Sequence, residues 1–407
     1  MNYASLKIHC EESSALSRVV IDNFLIGYAA EKESLSMQMD AQLRKYKKVA
    51  REIPDTYINY LKSEFIGHRI FRKNGFISKY LEKPVIKNLP HEQFQYLKFQ
   101  SEHPWRFSFS EIRSHPAEAF FEMEDVMTGE QYLLYSPGMQ ATEDELHPKM
   151  WFNLIGFNGK CWQTFGLIIP FRNCTVDDLF FFATELNPLI KNEEDLMKFV
   201  EEQPFPFFML LAAANIPAVD ARGYETLLFQ STDRIESFSG ADFTETFMVE
   251  WNKNVYRLTS GKWGEFPHFG AAYFNEQRKE LVRTAMTEAG FAGLTKELAK
   301  YNFYLDPQAD IAVTLGMLSV AKKILDKQID LNPYEKLFKK SVSKGESESL
   351  KLINNFIQLA LPFYNSNQEP DIKSLADQAG LSPEIAADVW EKVKGNIDNA
   401  RTRANKK

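Results

Sequence analysis

The sequence predicts an α+β protein in which an antiparallel, β-rich middle domain sits between helical N- and C-terminal regions. Three observations carry this expectation. Apolar residues recur every three or four positions before Pro104, the spacing of a helix face. From Trp105 large apolar residues alternate with polar ones, the period of a half-buried strand. Beyond Asn275 the helical spacing returns. The expected boundaries are therefore 1–104, 105–275 and 276–407.

In the first region, Ser13 and Ser14 read as caps for a helix bearing Leu16, Val19, Val20 and Phe24. Leu35, Met39, Leu43 and Tyr46 form a second apolar stripe. Pro54 opens a third helix with Ile58, Leu61 and Phe65 in register; proline suits a first turn because its missing N–H has no partner there. A fourth helix is expected over 91–100.

In the middle region, Phe120–Val126 and Gln131–Tyr135 flank a turn containing Gly129. Trp151–Phe157 and Lys160–Ile169 flank Asn158-Gly159, the pair best suited to a type I′ turn, where both central residues have positive φ. Helices are expected from Thr175 to Leu186 and from 193 to 202, with acidic residues in their first turns. The apolar run 207–214 fits a buried strand or a helix equally. Strands return over 224–230, 245–251 and 255–259. After Asn275 only helices are expected, including 311–329, 346–361 and a closing pair, 372–379 and 383–397. That pair has helix-turn-helix character, with Gly380 ending one helix and Ser382-Pro383 starting the next.

The chain carries a net charge of −7, distributed as +4, −13 and +2 over the three regions. The acidic middle would repel a phosphate backbone, so nucleic acid is not the expected partner. Three cysteines (Cys10, Cys161, Cys174) without a CxxC pair fit a reducing compartment. No apolar signal core follows Met1. The longest apolar stretch, 205–214, is half of what a membrane helix needs, so a cytoplasmic protein without a membrane span is expected.

Familiar catalytic spacings are missing. There is no GxSxG, no GxxxxGK[ST], no HExxH, and no two of the seven histidines lie three or four residues apart. No catalytic residue, metal ligand or cofactor is therefore assigned. Glu143-Asp144-Glu145-Leu146-His147 gathers possible ligands but reads equally as an acidic surface loop. Cys174 precedes a helix N-terminus, a position that can lower a thiol pKa, although free cysteines are commonly small buried hydrophobes. The candidate binding residues are Trp263, Phe266, His268 and Phe269, on an aromatic loop flanked by Gly261 and Gly270. The same rings would also serve to close a core.

The expected function is that of a binding or interaction protein with a protein or small-molecule partner. A hydrolase-like or metal-dependent enzyme with a dispersed site in the acidic middle is one alternative. A DNA-binding regulator acting through the last helix pair is another; Glu384, Asp388 and Glu391 on its second helix count against that reading.

Overall fold

The computed structural model describes residues 2–146, 148–213, 220–221, 224–236, 243–301, 303–338, 344–365 and 368–404. Antiparallel sheets with helices at both ends make it an α+β fold. The N-terminal helices are α1 (Tyr3–Ser17), a π-helical stretch (Arg18–Leu25), α2 (Ile26–Lys32), α3 (Leu35–Lys45), α4 (Lys47–Ala50), α5 (Asp55–Phe71), α6 (Ile77–Leu81), α7 (Pro84–Lys87) and α8 (His91–Glu102). Ser13 and Ser14 cap nothing. The helix begins at Tyr3, where the Asn2 side chain accepts from the Ser5 N–H at 3.2 Å, and Ser13 is buried within it.

Five strands then close into a barrel: β1 (Arg106–Ala117), β2 (Phe120–Asp125), β3 (Gln131–Tyr135), β4 (Met150–Phe157) and β5 (Trp162–Phe171). Helix α9 (Pro137–Leu146) connects β3 to β4. The order β1-β2-β3-β5-β4, with β1 returning to β4 and β3 parallel to β5, is the Greek-key connectivity of an OB-type barrel. Closure leaves no exposed strand edge. Alternation sends Phe121, Met123, Tyr132, Leu134, Trp151 and Ile155 inward, with Met139 of α9 packed against them. It sends Phe107, Phe109, Phe152 and Leu154 outward into the core shared with the helices.

The two expected hairpins of the barrel are present, with one change of turn chemistry. Phe157 pairs with Trp162, so 158–161 form a four-residue loop rather than a two-residue type I′ turn. Only Gly159 takes positive φ. Asn158 instead turns its side chain inward, where Oδ1 accepts from the N–H groups of Lys160 and Cys161, both at 2.9 Å. Asparagine satisfies the loop from its side chain, which removes the need for a left-handed backbone.

Helices α10 (Val176–Leu186), α11 (Glu193–Glu202) and α12 (Phe205–Phe208) follow, and a 3₁₀ stretch (Met209–Ala213) resolves the ambiguous apolar run as helical up to residue 213. Residue 214 lies outside the described residues. A short ribbon of β6 (Asp220–Ala221) and β7 (Tyr224–Glu225) precedes a six-stranded antiparallel sheet. Its strands are β8 (Leu227–Arg234), β9 (Phe247–Asn252), β10 (Val255–Ser260), β11 (Ala271–Asn275), β12 (Glu280–Ala285) and β13 (Ile311–Thr314), in the order β13-β8-β12-β11-β10-β9. Strands β12 and β13 fall where only helix was expected. Arg283 interrupts the apolar pattern of β12 because it is a buried clamp, donating to Asp233 (2.9 Å), Thr295 (2.6 Å) and the Asp306 carbonyl (2.9 Å). Helix α13 (Glu288–Ala299) covers one sheet face.

Helix α14 (Leu315–Leu325) continues directly from β13, and α15 (Glu335–Phe338) covers the other face of the sheet. The chain closes with α16 (Lys344–Asn365), α17 (Ile372–Ala379) and α18 (Pro383–Ala404). These three share their own core, including Phe356, Leu375 and Trp390. Gly380 takes positive φ, and Ser382 accepts from the Ile385 N–H at 3.3 Å.

The principal core is an aromatic seam. Phe109 and Phe152 stack at 4.4 Å on the barrel wall, and the α12 turn lays Phe205, Phe207 and Phe208 over them. Phe207 meets Phe109, Phe182 and Phe199 with centroids 5.6–6.2 Å apart. Beside it, Trp105 is wedged between helix and barrel, stacked on Phe71 at 4.4 Å and on Phe165 at 3.8 Å. Gly156 permits this approach, because a Cβ there would lie 2.6 Å from the indole.

Phe207→Ala is expected to cost about 3–5 kcal/mol of stability and Gly156→Ala about 1–3 kcal/mol through overpacking. Urea unfolding monitored by tryptophan fluorescence checks both. Wild-type midpoints in either variant contradict the seam as described.

Candidate functional site

Where helices and barrel meet, a cavity of about 430 Å³ lies between α1, the π-helical stretch, α5 and β5. Its mouth is formed by exposed Ser14, Arg18, Asp22, Tyr60 and Ser63. Buried Ser13, Ser17, Ile21, Glu64, Trp105 and Leu154 form its floor. The helical elements explain the lining. A π-helical insertion shifts side-chain phase relative to an α-helix and recurs at functional sites, and here it turns Arg18, Ile21 and Asp22 toward one opening.

Glu64 dominates the floor. It is 2% exposed, and its Oε2 accepts from the Leu167 N–H at 3.1 Å, while its buried Oε1 has no partner within the protein. Burial pushes its carboxyl well above the usual range, and the Leu167 bond opposes this only in part. Burial thus favours the protonated carboxyl, a form that offers both a donor and an acceptor. Gly166 makes the approach possible. It takes positive φ, and a Cβ there would lie 2.7 Å from the Glu64 side chain. At the mouth, burial raises Asp22 while Arg18 pulls it back.

The remaining wall is tied together by amides. Gln163 donates to the Cys10 carbonyl and to Ser14 Oγ, each at 3.0 Å, and accepts from Asn158 at 2.9 Å.

A second, wider cavity of about 1140 Å³ opens between the end of α5, residues 104–107, Met127-Thr128 and α11. Glu201 lies in its wall. Its carboxylate accepts from the Phe107 N–H at 2.8 Å and meets His68 Nε2 at 2.5 Å. His68 is fully buried, and burial lowers its pKa against the pull of Glu201. This pair fastens α5 and α11 to β1.

The aromatic loop divides. Trp263 lies over Gly293 of α13, and His268 meets Thr287 Oγ1 at 2.6 Å, with both rings packed edge to face at 5.1 Å. Phe266 and Phe269 point outward, 48% and 53% exposed, and pair with each other at 5.8 Å. Half of the loop therefore closes the sheet against α13, and the other half faces solvent. The two cavities lie elsewhere.

Cys174 is buried, and burial with Asp178 nearby pushes its thiol well up, the opposite of activation. Among the described residues no three His, Cys, Asp or Glu side chains are gathered as metal ligands. His147 lies outside the described residues. Among those same residues no helix is long and apolar enough to cross a membrane.

Glu64 escaped sequence reasoning, although a signal exists. Positions 61, 64, 65 and 68 share one helix face, so Glu64 and His68 occupy apolar-stripe positions beside Leu61 and Phe65. A carboxyl on the buried stripe of an amphipathic helix marks such a site.

A carboxyl whose folded pKa exceeds its unfolded value binds more protons folded than unfolded. The contribution of Glu64 to stability therefore falls as pH rises above about 4.3, the ordinary glutamate value. Glu64→Gln is expected to stabilise the protein at neutral pH, with a gain that vanishes at about pH 4. Denaturant midpoints of both proteins between those limits check this; a pH-independent difference contradicts it. The sequence matches no protein-family model, and no curated protein is detectably similar to it, so the reading of this cavity rests on its geometry.

Proposed function

We propose that this chain is a cytoplasmic binding protein that takes a small, uncharged, hydroxyl- or amide-bearing molecule into the cavity above Glu64. One observation carries the reading: a buried carboxyl with a partnerless oxygen belongs to the lining of a cavity large enough for a small molecule. Leaving such an atom unsatisfied costs about 1–3 kcal/mol, which a ligand group can recover. The lining favours a neutral polar ligand. Ser13, Ser14, Ser17, Ser63, Thr164 and Tyr60 supply hydroxyls, and the charges of Arg18 and Asp22 offset each other at the mouth.

Binding is favoured over catalysis because no His, Cys or Lys lines the cavity with Glu64 to complete a nucleophile–base pair. The barrel's own outer face supports a partner other than nucleic acid. Glu111, Glu122 and Glu124 lie there around a single Arg113, which meets Glu111 and Glu124. OB-type barrels that hold oligonucleotides need cations to track the phosphates.

A panel of neutral monosaccharides, polyols and small amides, screened by thermal shift, tests the reading. At least one member is expected to stabilise the wild type, by about 2.7 kcal/mol at a hundredfold excess over Kd. Ser63→Trp, an exposed change at the mouth, is expected to keep the fold and abolish that response. No response to any member, or equal responses in both proteins, contradicts the proposal.

A further inference from the structure

We propose that Cys10 and Cys161 form a reversible disulfide that fastens helix α1 to the β4–β5 hairpin and so fixes one wall of the cavity. The two residues are 151 apart in sequence, yet their Sγ atoms lie 3.4 Å apart. Both are buried free thiols. A disulfide needs about 2.05 Å between sulfurs, so bond formation requires a closure of about 1.4 Å.

The surroundings distinguish the two thiols. Hydrogen bonds from the Cys161 thiol and the Asn158 amide (3.3 Å to Cys10 Sγ), with Lys160 nearby, outweigh burial and hold Cys10 below the usual thiol range. The same thiol–thiol contact, with burial, pushes Cys161 up. The attack is assigned to Cys10, whose sulfur lies nearer the Asn158 amide than that of Cys161, 3.3 Å against 3.6 Å. With hydrogen peroxide, a small oxidant suited to a buried pair, the Cys10 thiolate attacks one oxygen and the O–O bond breaks. This leaves a sulfenic acid and a hydroxide, which takes up the thiol proton as water. The Cys161 sulfur then displaces the sulfenic hydroxyl, which leaves with the Cys161 proton as a second water. Two thiols thus give two electrons and two protons to one peroxide. A dithiol reverses the change, as expected of a transient cytosolic disulfide.

The link to the cavity is Gln163, which holds both the Cys10 carbonyl and Ser14 Oγ at the mouth. A disulfide at Cys10 fixes the turn of α1 that carries Ser13 and Ser14. This regulatory meaning rests on the ligand-binding reading; formation of the bond does not.

The full chain, treated with hydrogen peroxide or with dithiothreitol, is alkylated under denaturing conditions and analysed by intact mass and peptide mapping. The oxidised protein is expected to lose two hydrogens, to expose one alkylatable thiol instead of three, and to yield a Cys10–Cys161 linked peptide. Cys174→Ser keeps the link, and Cys161→Ser abolishes it. Amide hydrogen exchange over residues 3–17 is expected to slow at least tenfold on oxidation. Three alkylatable thiols, sulfinic acid without a link, or a link between chains overturns the proposal. So does a link that leaves exchange in α1 unchanged. Ligand screening uses the reduced protein, so failure there leaves this result intact.

Discussion

The fold depends on one seam, the aromatic contact between the outer wall of β1 and β4 and the helical turn Phe205–Phe208. A closed barrel normally presents polar residues outward. Here the outward positions of β1 and β4 are Phe107, Phe109, Phe152 and Leu154, and they are buried because helices cover them. Pro204 and Pro206 set the short α12 turn that delivers three phenylalanines to this wall. Stacked and edge-to-face rings remove much apolar surface from water with few rotatable bonds, so the seam is both strong and stiff. Helix α5 is held to the same wall from the other side, through Phe65 against Phe205 and through the His68–Glu201–Phe107 chain of bonds.

The cavity follows from that stiffness. Trp105 keeps α5 and the barrel at the separation set by an indole ring, and the first helices close over the gap without filling it. A flexible junction would collapse onto Glu64. A rigid one holds the Glu64 carboxyl against Gly166 with one oxygen unmatched. The unfavourable burial of Glu64 is offset by the seam next to it.

Much of the secondary structure was legible because it is local. The β2–β3 hairpin, α8, α10 and α11 lie where spacing and first-turn acidic residues put them, and the structure adds a Thr175–Asp178 capping box at the start of α10. The β4–β5 hairpin was legible in place but not in turn type, since Asn158 satisfies its loop through a side chain shared with α1 and Gln163. Strand β12 was hidden because Arg283 looks like a surface residue until Asp233, Thr295 and Asp306 surround it. Strand β13 was hidden because helix α14 follows it without a break. The cavity and the thiol pair were not legible as sites. Both are long-range: Glu64 meets Leu167, and Cys10 meets Cys161, through a barrel closure that no local pattern encodes.

The proposed binding role requires that Glu64 hold its proton well above the usual carboxyl range and that a ligand enter the cavity it lines. Carbon-13 NMR titration of glutamate side-chain carboxyls, with Glu64 assigned through Glu64→Gln, tests it most directly. The account predicts that Glu64 stays protonated at pH 7 after the other glutamates have ionised, and that its resonance shifts when a cavity ligand is added. A Glu64 resonance that titrates with the exposed glutamates, near pH of about 4.3, would contradict it.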